Sequence, residues 1–349
     1  MYLIGFLLAL VIGLIATPWV RRLAVKQGIM DIPGEARRIH SRPVARLGGL
    51  AIYAAFVIPL LLLLPASRPL FGLLGGVTIL LLVGIVDDSR GLGPWTKLVW
   101  QILAACVALA GGIGITAITS PFGGTITLNS WNIPVQLGLL HFNVSPIANT
   151  LSIVWMVGVI NVINFLDGLD GLACGVSSIA AFVMFLLAVG PKLHQPEVAL
   201  IAIILAGATL GFLPYNFFPA RIFLGDSGSY FLGLTLSLLA IYSGAKLATA
   251  GLVLGFTIID GAWTVLRRLY RRTSPFKADK GHLHHLLLEA GLSQRQAVVG
   301  LYLLSLVFGL SALITGSFSK LIILVVLLLT TATLITSLMV VISRKGRTS

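Results

Sequence analysis

Five aspartates in three short segments are the residues best suited to chemistry. They are Asp87, Asp88, Asp167, Asp170 and Asp226. Two adjacent carboxylates repel each other, so the first pair needs a cation or a proton to neutralise it. Mg²⁺ is the natural candidate, because it binds carboxylate and amide oxygens, keeps several waters and often shares its ligand shell with phosphates. Glycines beside the other three aspartates expose backbone N–H groups that suit an anion. The segments therefore predict a magnesium site for a phosphorylated substrate.

The middle segment also carries two asparagines at helical spacing. Asn161 and Asn164 lie three positions apart, and Asp167 and Asp170 continue the same spacing. If one helix persists through all four positions, the four side chains share one face. The segment therefore predicts a row of polar side chains that faces a ligand.

A fourth segment contains three histidines in four positions: His282, His284 and His285. Zinc binding is one interpretation, but no cysteine and no HExxH-type spacing accompanies the cluster. Phosphate recognition fits the composition better, because imidazoles beside Lys277 and Lys280 can donate hydrogen bonds to phosphate oxygens. A solvated polar loop is the third interpretation.

These segments must be positioned by an integral membrane protein. Of the 349 residues, 57% are hydrophobic and 10% are charged, whereas a soluble domain has roughly 25% charged residues. Eleven stretches are apolar and long enough to cross a hydrocarbon layer of about 30 Å. They cover residues 1–20, 47–67, 69–86, 98–113, 148–161, 171–191, 198–220, 227–245, 247–266, 296–319 and 321–343. We therefore predict an all-α membrane protein with one polytopic domain over residues 1–349.

The basic residues predict the orientation of the spans. With the N-terminus outside and the C-terminus in the cytoplasm, all but four of the 24 Lys and Arg residues fall on the cytoplasmic side, as the positive-inside rule requires. The five aspartates and a substrate-binding loop at 267–295 are then cytoplasmic. Region 114–147 is outside, and strand-like alternation around residues 121–124 predicts a β-hairpin there. The net charge of +13 is thus a signal of sidedness and not of nucleic-acid binding.

Together, the four segments resemble the polyprenyl-phosphate N-acetylhexosamine-1-phosphate transferases. The Asp-Asp pair, the Asn-x-x-Asn-x-x-Asp-Gly-x-Asp-Gly run, Phe-x-Gly-Asp-x-Gly and His-x-His-His occur in the family's order. Residues 43–49 and 282–285 resemble the branch of undecaprenyl-phosphate α-N-acetylglucosaminyl 1-phosphate transferases, which start O-antigen, common-antigen or teichoic acid synthesis. Ala45 and Thr257 stand where that branch commonly has proline. Both departures lie outside the carboxylate motifs.

The resemblance implies a reaction at the bacterial plasma membrane. UDP-GlcNAc and undecaprenyl phosphate would give GlcNAc-diphospho-undecaprenol and UMP, with Mg²⁺ as the cofactor and Mn²⁺ as an alternative. It implies membrane lipids as partners and leaves a homo-oligomer open. By motif position, Asn164 and Asp226 are the expected metal ligands, and Asp87 and Asp88 are the expected catalytic residues, with Asp88 in or near the metal shell.

The resemblance also assigns residues to substrate binding. The expected set is Arg46, Lys97, Asn161, Asp167, Asp170, Asn216, Phe223, His282, His284 and His285. Lys97 is expected at the lipid phosphate. Asp170, Asn216 and Phe223 are expected to form a uridine pocket in which the phenylalanine stacks on uracil. The histidine segment and Arg46 are expected at the diphosphate or the sugar.

Two other functions stay open. A transporter would carry charges near the bilayer midplane, internal repeats and broken helices. No repeat is evident, and Asp260 is the one acidic residue within a predicted span; pairing with Arg267, Arg268 or a neighbouring helix is its expected role. A lipid-binding scaffold without activity is the other alternative. For the enzyme, direct attack of the lipid phosphate is favoured over a two-step route through an aspartate nucleophile.

Overall fold

The computed structural model describes residues 1–32, 43–120, 122–137, 140–191, 193–243, 247–270 and 282–348. Lys277 and Lys280, which were expected to assist the histidines, lie outside these ranges, as do residues 271–281 of the predicted loop at 267–295.

Helices dominate the described residues, as expected where lipid cannot satisfy backbone polar groups. Their bounds are α1 Tyr2–Lys26, α2 Gly48–Leu63, α3 Arg68–Arg90, α4 Pro94–Ala110, α5 Pro146–Leu166, α6 Leu172–Val189, α7 Pro196–Asn216, α8 Gly225–Tyr242, α9 Leu247–Val253, α10 Gly255–Tyr270, α11 Leu283–Glu289, α12 Gln294–Ile314 and α13 Ser317–Thr348. The predicted all-α membrane class is confirmed.

The length and composition of the helices support seven or eight membrane spans among the described residues. Within the described ranges, seven helices are long and apolar enough to cross a membrane, or eight if α9 and α10 count as one. The apolar helices α2 and α4 are shorter than those seven. Each of the eleven predicted stretches coincides with a helix or with the α9–α10 pair. Eleven spans and their orientation stay predictions.

The span predicted at 247–266 consists of two helices. Helices α9 and α10 meet at an angle of 82°. Gly255 begins α10, and a Cβ atom there would lie 2.2 Å from Leu327 Cδ2 of α13. The bend is therefore packed closely against α13, a tertiary contact that hydropathy does not reveal.

Short antiparallel strand pairs connect the helices. Strands β1 (Met30–Asp31) and β2 (Val44–Ala45) pair before α2. Strands β3 (Ala117–Thr119) and β4 (Thr125–Thr127) pair at the position of the predicted hairpin. A further pair, β5 (Ile133–Leu137) and β6 (Leu140–Val144), follows it. Ala45 also bridges to Ile222, which ties the segment before α2 to the segment before α8.

Helix α8 lies at the centre of the protein, and all of its residues 227–241 are buried. Glycines let neighbouring backbones approach it closely, as in many membrane helix pairs. A Cβ atom on Gly84 of α3 would lie 2.3 Å from Ser227 Cα, and one on Gly233 of α8 would lie 2.5 Å from Ile160 Cα of α5. This packing brings the C-terminal ends of α3 and α5 to the N-terminal end of α8.

Candidate active site

The second aspartate of the Asp-Asp pair caps helix α8. Asp88 Oδ1 accepts the backbone N–H of Asp226 at 2.9 Å, and Oδ2 accepts the backbone N–H and the hydroxyl of Ser227 at 3.1 and 2.8 Å. The first N–H groups of a helix have no partner within the helix, so an accepting side chain stabilises its start. Asp88 therefore fixes the backbone that carries Asp226.

The first aspartate of the pair is buried and holds a lysine. Asp87 Oδ1 accepts the backbone N–H of Leu92 at 2.7 Å. Its Oδ2 accepts the hydroxyl of Tyr230 at 3.1 Å and lies 2.5 Å from Lys97 Nζ. The same ammonium group is 3.4 Å from Asp226 Oδ2. Lys97 thus joins the carboxylates of α3 and α8 from its position in α4.

Asn164 meets Asp226 from α5. Its amide donates to Asp226 Oδ1 at 2.6 Å and to the hydroxyl of Ser229 at 3.0 Å. The two predicted metal ligands are therefore in direct contact, although 62 positions separate them in the chain.

The predicted row of side chains on α5 is only partly formed. The helix ends at Leu166, and Asp167 and Asp170 lie in the turn before α6. Asn161, predicted to bind substrate, is not among the described residues that line the cleft described below; its amide donates to Gln101 Oε1 of α4 at 2.8 Å and to a carbonyl of its own helix. Gln101 is buried, so Asn161 belongs to the packing of α4 against α5.

A polar cleft of about 340 Å³ opens beside Asp226. Most of the predicted site residues line it, namely Arg46, Asp88, Asn164, Asp167, Asp170, Asn216, Phe223 and Asp226. The described residues that line the cleft do not include Asp87, Lys97 or the three histidines. Asp226 lines the cleft and also contacts Lys97. It therefore lies between the cleft and Lys97.

Burial and mutual repulsion raise the pKa values of two carboxyl groups at the cleft. Burial, together with Asp87 and Asp88, raises the pKa of Asp226 to about 7, although Lys97 opposes the rise. Asp226 precedes the span predicted at 227–245. Burial and the charges of Asp226 and Asp88 likewise raise the pKa of Asp167 well above its usual value. A bound cation would relieve this repulsion.

The donor set at this point suits Mg²⁺. Within the described part of the chain, no three His, Cys, Asp or Glu side chains form a metal-binding group. Mg²⁺ does not need one, because it keeps several waters and takes one or two protein carboxylates. Asn164 and Asp226 touch each other and line the cleft, and they offer an amide and a carboxylate oxygen. For zinc, which needs three or four such side chains, the described part of the histidine segment provides no metal-binding group.

Asn216 carries a buried acceptor at the cleft. Its amide nitrogen donates to the carbonyl of Ile222 at 3.0 Å. Its Oδ1 atom is buried and has no hydrogen-bond partner among the described residues. A buried oxygen without a donor is costly, so a donor from a ligand would stabilise the site. Nearby, Asp170 Oδ2 accepts the backbone N–H of Ala220 at 2.9 Å.

Backbone contacts hold Phe223 and Arg46 at the cleft. Phe223 donates its N–H to the carbonyl of Ala45 at 2.8 Å and accepts the N–H of Gly48 at 3.0 Å. Arg46 lies between Ala45 and Gly48 in the chain, and its guanidinium group forms an ion pair with Asp31 at 3.4 Å. A Cβ atom on Gly48 would lie 2.5 Å from the Phe223 carbonyl oxygen, so this contact requires glycine.

The histidine segment packs behind the cleft. His282 Nδ1 lies 2.9 Å from Asp260 Oδ2 of α10, and Asp260 Oδ1 accepts the backbone N–H of Leu283 at 2.8 Å. His284 stacks parallel to His282, with ring centroids 5.7 Å apart. Burial and the neighbouring histidines lower the pKa of His284 well below its usual value. A Cβ atom on Gly168 would lie 2.3 Å from His284 Nε2, so the segment supports the turn at 167–170.

Several residues of the site carried no signal that we recognised in the sequence. Tyr230 lies four positions after Asp226, and this spacing could have identified it. Asp31, Phe218 and Gln294 also line the cleft. They come from three separate parts of the chain, so no local spacing relates them.

Comparisons with known proteins show which sequences this chain resembles. The profile of glycosyl transferase family 4 matches residues 70–244, which include the five aspartates. The chain is 32% identical over 322 residues to the Bacillus subtilis protein named probable undecaprenyl-phosphate N-acetylglucosaminyl 1-phosphate transferase, covering 90% of this chain and 85% of the relative. It is 34% identical over 333 residues to a Mycolicibacterium smegmatis decaprenyl-phosphate N-acetylglucosaminephosphotransferase, covering 85% and 78%. It is also 30% identical over 322 residues to an Alkaliphilus oremlandii phospho-N-acetylmuramoyl-pentapeptide-transferase, covering 87% and 93%.

Proposed function

This chain belongs to glycosyl transferase family 4, and from that premise we propose that it transfers GlcNAc-1-phosphate from UDP-GlcNAc to undecaprenyl phosphate. The products are GlcNAc-diphospho-undecaprenol and UMP. The observation that carries the proposal is the contact of Asp226 with both Asn164 and Lys97 at the edge of a polar cleft. Two polyanionic substrates need such an arrangement of oxygen ligands and a basic group.

The cleft suits the sugar nucleotide. The Oδ1 atom of Asn216 is an acceptor for the N3–H of uracil, because it is buried and lacks a donor among the described residues. Phe223 lines the same cleft, and its ring is available for stacking on the base. Asp170, in the same cleft, binds the ribose of the uridine. Arg46 supplies a positive charge for the diphosphate.

The acceptor lipid approaches on the other side of Asp226. Lys97 lies there, and its side chain is 28% exposed. Trp95 and Val99 of the same helix expose 67% and 63% of their surface, which suits a polyprenyl chain in the membrane. Lys97 therefore binds the acceptor phosphate while its chain stays in lipid.

The chemistry is a direct displacement. An oxygen of the acceptor phosphate attacks the β-phosphorus of the donor, the bond from that phosphorus to the bridging oxygen breaks, and UMP leaves. A phosphate monoester is mostly ionised at pH 7, since its second pKa is about 6, so Asp87 need only take a residual proton and hold Lys97. Both carboxylate oxygens of Asp87 and Asp88 already accept hydrogen bonds, which favours direct attack over an aspartyl intermediate.

Asn164 and Asp226 are the residues that would hold Mg²⁺, with Mn²⁺ as a substitute. When bound, the ion would neutralise charge on the diphosphate. Eleven spans with the N-terminus outside would put this site on the cytoplasmic face of a bacterial plasma membrane. That side carries most of the basic residues. The product would start O-antigen, common-antigen or teichoic acid synthesis.

Product formation tests the proposal directly. Purified protein is incubated with radiolabelled UDP-GlcNAc, Mg²⁺ and undecaprenyl phosphate, and butanol-extractable label is expected. Parallel reactions with UDP-GalNAc and UDP-MurNAc-pentapeptide test which sugar is transferred. The second is included because the chain is 30% identical to a phospho-N-acetylmuramoyl-pentapeptide-transferase.

A transporter is the alternative function, because the broken α9–α10 helix is a feature shared with transporters. Uptake of label into vesicles without lipid product would favour that alternative and contradict the proposal.

A further inference from the structure

Tyr230 is a buried tyrosine whose hydroxyl points to the candidate active site. It lies one helical turn after Asp226 on α8, so the two side chains share a face of that helix. Its surface is 1% exposed. The hydroxyl of a buried tyrosine needs a partner, and the partner here is Asp87 Oδ2 at 3.1 Å.

Asp87 is held from three directions. Tyr230 and Lys97 both meet its Oδ2 atom, and the backbone N–H of Leu92 donates to Oδ1 at 2.7 Å. Hydrogen bonds to a charged carboxylate are stronger than those between neutral groups. The orientation of the carboxylate in turn decides where its partner Lys97 lies. Lysine has a flexible stem, so its ammonium group depends on such partners for a defined position.

We propose that Tyr230 is a positioning residue, which holds Asp87 so that Lys97 stays in place for the acceptor phosphate. Tyr230 touches no substrate in this arrangement and acts through Asp87. The inference rests on the proposed function for the role of Lys97. Loss of the hydroxyl would leave the ring in the core and free one side of the carboxylate. Lys97 would then sample positions away from the acceptor.

Tyr230→Phe tests this inference, and Tyr53→Phe is the matched control. The hydroxyl of Tyr53 also bonds to α3, through Thr78 Oγ1 at 2.6 Å, but Thr78 lies nine positions before Asp87 in that helix. Its ring packs against Phe231 of α8. We expect Tyr230→Phe to raise the KM for undecaprenyl phosphate about 10-fold and to leave the KM for UDP-GlcNAc nearly unchanged. Tyr53→Phe should change neither value.

Direct lipid binding separates this inference from the proposed function. Binding of undecaprenyl phosphate to the purified protein is measured without any sugar nucleotide, at a temperature where thermal unfolding finds each variant folded. Weaker binding by Tyr230→Phe than by Tyr53→Phe supports the inference, whichever sugar the enzyme transfers. In a Lys97→Ala background, Tyr230→Phe should weaken lipid binding no further, because the two residues act in series.

Three results would overturn the inference. The first is an unchanged affinity for the lipid in Tyr230→Phe, and the second is an equal loss in Tyr53→Phe. The third is an additional loss in the Lys97→Ala background, since that would indicate a merely structural role. Failure of the wild-type protein to use UDP-GlcNAc would count against the proposed function alone.

Discussion

The carboxylate of Asp260 holds both the side chain of His282 and the start of the helix that follows it. Its two oxygens lie 2.9 Å from His282 Nδ1 and 2.8 Å from the backbone nitrogen of Leu283. A carboxylate oxygen accepts, so His282 Nδ1 is the donor in this contact. The broken helix α9–α10 is thereby coupled to the histidine segment.

We expect Asp260→Asn and His282→Ala to weaken UDP-GlcNAc binding by similar factors of about 10. The double variant should bind no worse than the worse single one, because both changes remove the same contact. Isothermal titration with UDP-GlcNAc measures the three affinities. Additive losses would mean that Asp260 and His282 act separately. Activity that follows added zinc would revive the zinc interpretation of the segment.

Asp226→Asn and Asn164→Ala should each lower turnover at least about 100-fold, because each removes an expected metal ligand at a partly open site. Turnover measured across a range of Mg²⁺ concentrations tests this. Asn161→Ala is the comparison, since its amide bonds to Gln101 within the helix packing; it should lose less activity and more stability. Wild-type turnover by Asp226→Asn at low Mg²⁺ would contradict the metal assignment.

Asp88→Ala should destabilise the protein by about 1–2 kcal/mol, because the first turn of α8 loses its cap, and should also lower turnover by displacing Asp226. Thermal unfolding in detergent and product formation measure the two effects. Ser67→Ala removes a cap from the start of α3, where Ser67 accepts the N–H of Leu70 at 3.3 Å. It should cost stability with little change in turnover. A stable Asp88→Ala protein would show that capping is unimportant here.

Gly168→Ala should lower turnover at least about 10-fold, because the new Cβ atom would lie 2.3 Å from His284 Nε2 and displace the cleft turn. Gly158→Ala on α5 is the matched control, since nothing lies within 4 Å of the added atom and alanine favours a helix. Product formation by the two variants tests the expectation. Equal turnover would mean that the histidine segment does not support the cleft.

Asn216→Ala should lower the affinity for UMP about 10-fold, because it removes the buried acceptor expected at uracil N3–H. Cytosine presents an acceptor at the same position, so the wild-type protein should prefer UMP to CMP and the variant should lose part of that preference. Competition of both nucleotides against labelled UDP-GlcNAc measures it. An unchanged preference for UMP over CMP in the variant would show that uracil does not bind at Asn216.

The amino-acid sequence alone was sufficient for the membrane class, for a helix at each apolar stretch and for most of the cleft residues. Length and hydropathy indicate these helices because lipid leaves the backbone no partner but itself. The motif residues Asn164, Asp167, Asp170 and Asp226 line one cleft, as their chemistry indicated. Local composition carries this part of the information, whereas the family resemblance supplied Arg46, Asn216 and Phe223, which line the same cleft.

Only the tertiary structure decided which partner each of these side chains has. The sequence predicted that Asn161 and Asn164 face the same ligand. In the structure, α4 packs against α5, and the Asn161 amide donates a hydrogen bond to Gln101 of α4. The sequence also predicted that Asp260 pairs with Arg267, Arg268 or a neighbouring helix, whereas in the structure its carboxylate contacts His282. Asp88 and Asp87 are adjacent in the chain but have different roles, a helix cap and an anchor for Lys97. These roles depend on contacts between helices that are distant in the chain, and periodicity within one segment carries no information about them.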